Sequence, residues 1–104
     1  MSIAMNERPM TLLDLTAEKR KRLQELILGY FTTDVYKPSL GMKRGDARFD
    51  EYSGRAVSEM LQSLHATSLL NKQGVKSDAA YQLTLSGQDA LRRLRKELKE
   101  ELKG

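Results

Sequence analysis

The sequence predicts an α+β fold, mainly α, in which a two-stranded β-ribbon is held between helices and a long helix closes the chain. Three observations lead there. Val57, Met60, Leu61 and Leu64 recur at the three-and-four spacing that puts side chains on one face of a 3.6-period helix. The period then changes. After Leu69-Leu70 comes a polar, glycine-bearing run, residues 71–78, and beyond it Tyr81, Leu83 and Leu85 alternate with Gln82 and Thr84 in the two-residue rhythm of a half-buried strand. Finally Leu91, Leu94, Leu98 and Leu102 return to helical spacing. The order is helix, strand, tight loop, strand, helix.

Length and charge bound the rest. A chain of 104 residues makes one domain, and such a domain buries roughly 60–70% of its unfolded surface, enough for a single modest core. Lys+Arg 18 against Asp+Glu 14 leaves a net charge of +4, which permits a polyanionic partner without requiring one. The absence of cysteine excludes a disulfide scaffold, a thiol nucleophile and any thiolate metal site, and suits a reducing cytoplasm. No apolar run approaches the roughly 20 residues of a membrane span, and the N-terminus lacks a basic-then-apolar signal pattern, so a cytoplasmic protein is expected.

In chain order, residues 1–10 show no sustained period and carry Pro9, which marks them as a flexible leader. Residues 11–15 suit a short capped turn. From 16 to about 33 the pattern is helical, with Leu23, Leu26, Ile27, Tyr30 and Phe31 on one side and Glu18, Lys19, Arg22 and Glu25 on the other. Lys19, Arg20, Lys21 and Arg22 crowd the positive end of that helix's dipole, an unfavourable place that Glu18 and Glu25 partly offset. Residues 34–52 are broken by Pro38, Gly41 and Gly45, so only a turn or two around 39–43 or 46–49 can be helical. Phe49 and Tyr52 are expected to anchor this segment to the core. A helix from 53 to about 67 has Arg55, Ser58, Glu59 and Gln62 on its outer face. His65, one turn after Leu61 and with no second histidine in the chain, reads as a packing residue at the core edge rather than a ligand or base. Thr84 or Ser86 can cap the last helix, and Ser86-Gly87-Gln88-Asp89 has capping-box spacing.

The stretches VSEMLQSLHATSLL and YQLTLSGQDAL resemble the winged helix-turn-helix family, and within it the PadR-like and MarR-like regulators. The first looks like a recognition helix running into the first wing strand, and the second matches the family's Tyr-x-Leu-Thr-x-x-Gly-x-x-x-Leu exit from the wing; the resemblance covers about half the chain. It implies a winged-helix domain over 11–85 and a C-terminal dimerisation helix over 86–104. It also implies a short second helix within 34–52, which the sequence there barely supplies.

On that template the helix from 53 offers Arg55, Ser58 and Gln62 to bases, since arginine suits guanine, glutamine suits adenine and serine suits either base or phosphate. Arg55 is offset by Glu59, so phosphate attraction must come from elsewhere: from Lys43, Arg44 and Arg48, and from Lys72 and Lys76 on the wing. Edge lysines also discourage strand pairing between molecules, a reading that stays open for the last two. The leucine stripe Leu91, Leu94, Leu98 and Leu102 is expected to close against a second copy, making a homodimer; the alternative is that it lies on the first helix of its own chain, where Leu91 and Leu94 are expected in either case, so that Leu98 and Leu102 discriminate.

No Cys–His or Ser–His–Asp constellation, phosphate-cradling glycine loop or metal-ligand spacing is present, so neither catalysis nor a cofactor is expected. Two functions follow: a dimeric DNA-binding transcriptional regulator contacting double-stranded DNA, or a winged-helix protein-protein interaction module, adaptor or inhibitor, without sequence-specific DNA binding.

Overall fold

A computed structural model describes residues 11–75 and 78–103, the side chains of 101–103 excepted. The elements are a 3-10 turn (Leu12–Asp14), α1 (Ala17–Tyr30), β1 (Lys37–Pro38), a second 3-10 turn (Ala47–Glu51), α2 (Gly54–Ala66), β2 (Leu70–Gln73), β3 (Ala80–Leu83) and α3 (Leu85–Lys103). The fold is α+β and mainly helical, with a three-stranded antiparallel sheet of order β1-β3-β2. The expected leader, residues 1–10, lies outside the described residues.

Helix α1 starts where Thr16 Oγ1 accepts the Lys19 N–H at 3.1 Å. It packs against both α2 and α3, so its apolar surface is wider than one stripe: Leu28 is as buried as Leu23 and Ile27. Two of its four cations are engaged in ion pairs, Arg22 with Glu18 at 2.6 Å and Lys21 with Glu97 of α3 at 3.4 Å. The helix stops at Tyr30, short of the expected 33, because the chain beyond it serves β3: Leu83 donates its N–H to Thr32 O at 2.8 Å, and the Gln82 amide donates to Thr33 O at 3.1 Å.

The expected two-stranded ribbon is in fact part of three strands. β2 and β3 pair in the register Leu70↔Leu83, Asn71↔Gln82, Lys72↔Tyr81, Gln73↔Ala80. β1 adds Lys37↔Tyr81 and Pro38↔Ala80 on the other side of β3. Two residues cannot display an alternating pattern, and Pro38 tolerates an edge place because its missing N–H faces outward there. Lys37 also closes α1: its ammonium donates to Tyr30 O at 3.2 Å and stands 3.9 Å over the Tyr30 ring.

Between β1 and α2 the expected short second helix is not formed; the segment makes a turn over 40–45 and the 3-10 turn, which Asp46 caps by accepting the Arg48 N–H at 2.9 Å. Gly41, at φ +92, opens the first turn in a backbone region that a side chain would strain. Burial fixes the segment instead of helical periodicity. Met42, Phe49 and Tyr52 all enter the core, and the Tyr52 hydroxyl donates to Lys19 O at 3.1 Å.

Helix α2 buries Ala56, Val57, Met60, Leu61 and Leu64. His65, expected at the core edge, is exposed, since one residue past Leu64 it is carried about 100° round the axis. The helix ends at an αL residue, Ser68, at φ 65, and the Leu69 N–H reaches back to Leu64 O at 2.9 Å in a Schellman arrangement.

Thr84 then joins sheet to helix. Its N–H meets Leu69 O at 3.2 Å, its hydroxyl donates to Ser68 O at 2.7 Å, and that hydroxyl oxygen accepts the Gly87 N–H at 2.9 Å, capping α3. The cap is thus Thr84 rather than the Ser86 box. Leu85, expected as a third inward strand residue, is the first helical residue and 77% exposed. α3 lies along α1 through Leu91 and Leu94, both buried, with Arg95 on Glu25 at 3.1 Å.

Candidate nucleic-acid interface

Ser53 caps α2, accepting the Ala56 N–H at 3.0 Å, and with the five buried residues facing inward the helix turns Arg55, Ser58 and Gln62 to solvent. Glu59 is half-buried. Its carboxylate accepts the Leu12 N–H at 2.8 Å and also meets Arg55 Nε at 3.4 Å, so the 3-10 turn before α1 holds in place the anion that neutralises Arg55.

Ser58 and Gln62, one helical turn apart, line a depression of about 320 Å3 between α2 and the sheet, together with Ser39, Leu61, Lys72, Ala79 and Tyr81. A second depression of about 310 Å3 shares Ser39 and is lined by Leu40, Gly41, Lys43 and Arg44. The Lys43 ammonium lies at the start of α2, 3.2 Å from the place a Cβ on Gly54 would occupy. A cation there faces the positive end of the helix dipole, an arrangement that an arriving anion relieves. Five of the sequence-predicted contacts, Lys43, Arg44, Ser58, Gln62 and Lys72, therefore border two depressions that share Ser39. Among the described residues, Lys43, Arg44 and Lys72 form no ion pair, whereas Arg48 and Arg55 do.

The remaining candidates stand elsewhere. Arg48 grips Asp46 with two prongs, Nε to Oδ1 at 3.0 Å and Nη2 to Oδ2 at 2.6 Å, and lines a separate groove beside Glu25, Leu26, Tyr52 and Leu98. This guanidinium holds the Asp46 carboxyl at about 2, below its ordinary 3.8. Lys72 sits within β2 opposite Tyr81, not beside the hairpin tip, and Lys76 lies outside the described residues. Leu91 and Leu94 serve their own chain's core; Leu98 is half-buried at the rim of the groove with Leu26 and Tyr52, and the Leu102 side chain lies outside the described residues.

Ser39 and Tyr81 were not foreseen as site residues. Ser39 lies in a segment without periodicity, and Tyr81 reads as an inward strand residue. The only sequence signal was a tyrosine, rather than phenylalanine, at a core position. Burial pushes the Tyr81 hydroxyl pKa up.

Among the described residues there is no group of three or more His, Cys, Asp or Glu side chains that could hold a metal ion, and no helix is long and apolar enough to cross a membrane. No protein-family model matches the chain, and no similar protein is found among curated ones.

Proposed function

We propose that this protein is a DNA-binding transcriptional regulator of winged helix-turn-helix type, with α2 as the recognition helix and the β2–β3 hairpin as the wing. The observation that carries the reading is the gathering of Lys43, Arg44 and Lys72, cations without an ion-pair partner among the described residues, around the Ser58–Gln62 face of α2. Lysine and arginine there neutralise phosphates, and the α2 side chains reach base edges. Arg55 joins them once Glu59 is displaced or shared. A homodimer formed along the outer part of α3, from Leu98 onward, sets two α2 helices about one DNA turn apart.

Binding of a random-sequence duplex, followed by fluorescence anisotropy, should weaken with salt at a logarithmic slope near −0.9 for each phosphate neutralised. Arg55→Ala should relax preference at one base position more than it lowers overall affinity. Binding that is undetectable at low salt, or insensitive to salt, refutes the proposal.

A second reading is a protein-protein interaction module. The neutralisation of Arg55 by Glu59 favours it, as does the groove of about 310 Å3 where Tyr52, Leu26 and Leu98 meet under charged rims. Co-purification of a stoichiometric protein partner without nucleic acid selects this reading.

A further inference from the structure

We infer that the depression between α2 and the sheet is a phosphate-binding subsite, in which the hydroxyls of Tyr81 and Ser58, the amide of Gln62 and the ammonium of Lys72 converge on one tetrahedral oxyanion. This rests on the DNA-binding reading for its natural ligand, a backbone phosphodiester, and assigns Ser58 and Gln62 to that phosphate, leaving base edges to Arg55; the donor chemistry serves a free phosphate equally. Three features carry it.

The first is Tyr81 itself. The residue is 5% exposed, its ring packs 5.5 Å from that of Phe31, and its hydroxyl has no hydrogen-bond partner among the described residues. No enclosed side-chain nitrogen or oxygen among the described residues lacks a partner, so this oxygen is accessible, and its residue lines the depression. The ring fills the core position as a phenylalanine would, and the hydroxyl adds a donor that no group of the described residues uses. With its ionisation pushed upward by desolvation, the hydroxyl stays a neutral donor at physiological pH.

The second is register. Lys72 and Tyr81 are directly opposed across β2 and β3, and opposed residues project from the same face of the sheet. Ser58 and Gln62 stand one turn apart on the helix that forms the facing wall. The donors thus come from two rigid elements, not from a loose loop.

The third is composition. No carboxylate lines the depression, and Lys72 has no ion-pair partner among the described residues. Ser39 commits its hydroxyl proton to Ala79 O at 3.4 Å, shaping the wall where β1 gives way to the turn. What remains facing the space is one charge and three neutral donors, the set that a phosphate oxyanion recruits.

The test uses the full chain and the variants Tyr81→Phe, which keeps the ring, and Lys72→Gln, with thermal melts to confirm that each is folded. Inorganic phosphate is titrated while the backbone amides of Ser58, Gln62 and Tyr81 are followed by NMR, and duplex affinity is measured in parallel. Wild type should show saturable shifts at those amides that Lys72→Gln abolishes and Tyr81→Phe weakens about tenfold. On duplex, Lys72→Gln should reduce the salt slope by about 0.9, while Tyr81→Phe lowers affinity with the slope unchanged. A duplex effect of Tyr81→Phe without inorganic-phosphate binding supports the subsite and assigns it to the DNA backbone. Saturable phosphate shifts with no duplex binding by any form support the subsite, assign it to a free phosphate ester and defeat the DNA-binding reading alone. Absence of phosphate shifts, together with a Tyr81→Phe variant that binds duplex as wild type does, overturns the inference.

Discussion

Replacing Gly87 by alanine tests how the last helix is seated on the sheet. In an exposed helix the change is favourable, because alanine exceeds glycine by about 0.8–1.0 kcal/mol in helix propensity. At Gly87 a Cβ would overlap the Leu69 carbonyl oxygen and stand 2.7 Å from Leu83 Cδ1. The Leu69 carbonyl cannot yield cheaply, since it accepts the Thr84 N–H at the joint that also caps α3. Overpacking of this kind costs about 1–3 kcal/mol and sometimes more, and a strained backbone hydrogen bond adds about 1 kcal/mol. Set against the propensity gain, the net loss is about 1–3 kcal/mol. At about 4–8 °C per kcal/mol for a domain near this size, the melting temperature falls by roughly 5–20 °C. Gly29→Ala supplies the control. Its Cβ meets the end of the flexible Arg95 side chain, Nη2 at 3.0 Å, and Glu25 Oε2 at an ordinary 3.9 Å, so this variant should match or exceed the wild type by up to about 1 kcal/mol. Thermal and urea melts by circular dichroism read both. A Gly87→Ala protein as stable as wild type refutes the close seating of α3 on Leu69.

Ser68→Gly should raise stability by up to about 1 kcal/mol in urea melts, because a serine at φ 65 bears strain that glycine does not, less the larger unfolded-state entropy of glycine. Asp46 has its folded pKa depressed to about 2 from 3.8, so its contribution is present above about pH 4 and is lost as pH falls through about 2; Asp46→Asn should flatten the stability profile within that window alone, measured by melts from pH 5 to about 2. Tyr52 has its hydroxyl pKa raised by burial first and by the Glu51 charge next, so its contribution holds below about pH 10 and declines above it; Tyr52→Phe should reduce the alkaline fall in stability seen by melts above that pH. Glu59→Gln keeps an oxygen for the Leu12 N–H yet releases Arg55 from its counter-charge, and should tighten duplex binding and steepen the salt slope by up to about 0.9. An unchanged slope would place Arg55 away from the DNA.

Helices α1, α2 and α3 and the hairpin were legible because each repeats its own period over several turns or residues: Val57 to Leu64, Tyr81 to Leu83, Leu91 to Leu98. The anchoring of 34–52 by Phe49 and Tyr52 was legible too, as large apolar side chains in a segment otherwise polar and broken. What depended on distant partners was hidden. β1 exists only because Tyr81 and Ala80 pair with Lys37 and Pro38 more than forty residues away, and α1 ends early because Thr32 and Thr33 are taken up by β3. The same holds for charges. Composition counts Arg48 and Arg55 alongside Lys43, Arg44 and Lys72 as cations, yet folding couples the first two to Asp46 and Glu59 and leaves the other three on the α2 side.

By itself, then, the chain determines which stretches are helical, where the rhythm turns to strand, and which side chains inside each periodic run go inward, since these follow from spacing along a local backbone. It does not do so at the ends of the runs, where Leu85 and His65 turn out exposed. Tertiary structure alone decided that Thr84 and not Ser86 begins α3, that Lys37 and Pro38 pair with β3, and that Tyr81 and Lys72 line one depression with Ser58 and Gln62. Each of those outcomes is a competition between partners far apart in sequence, settled by which approach buries apolar surface while leaving the fewest polar groups unpaired.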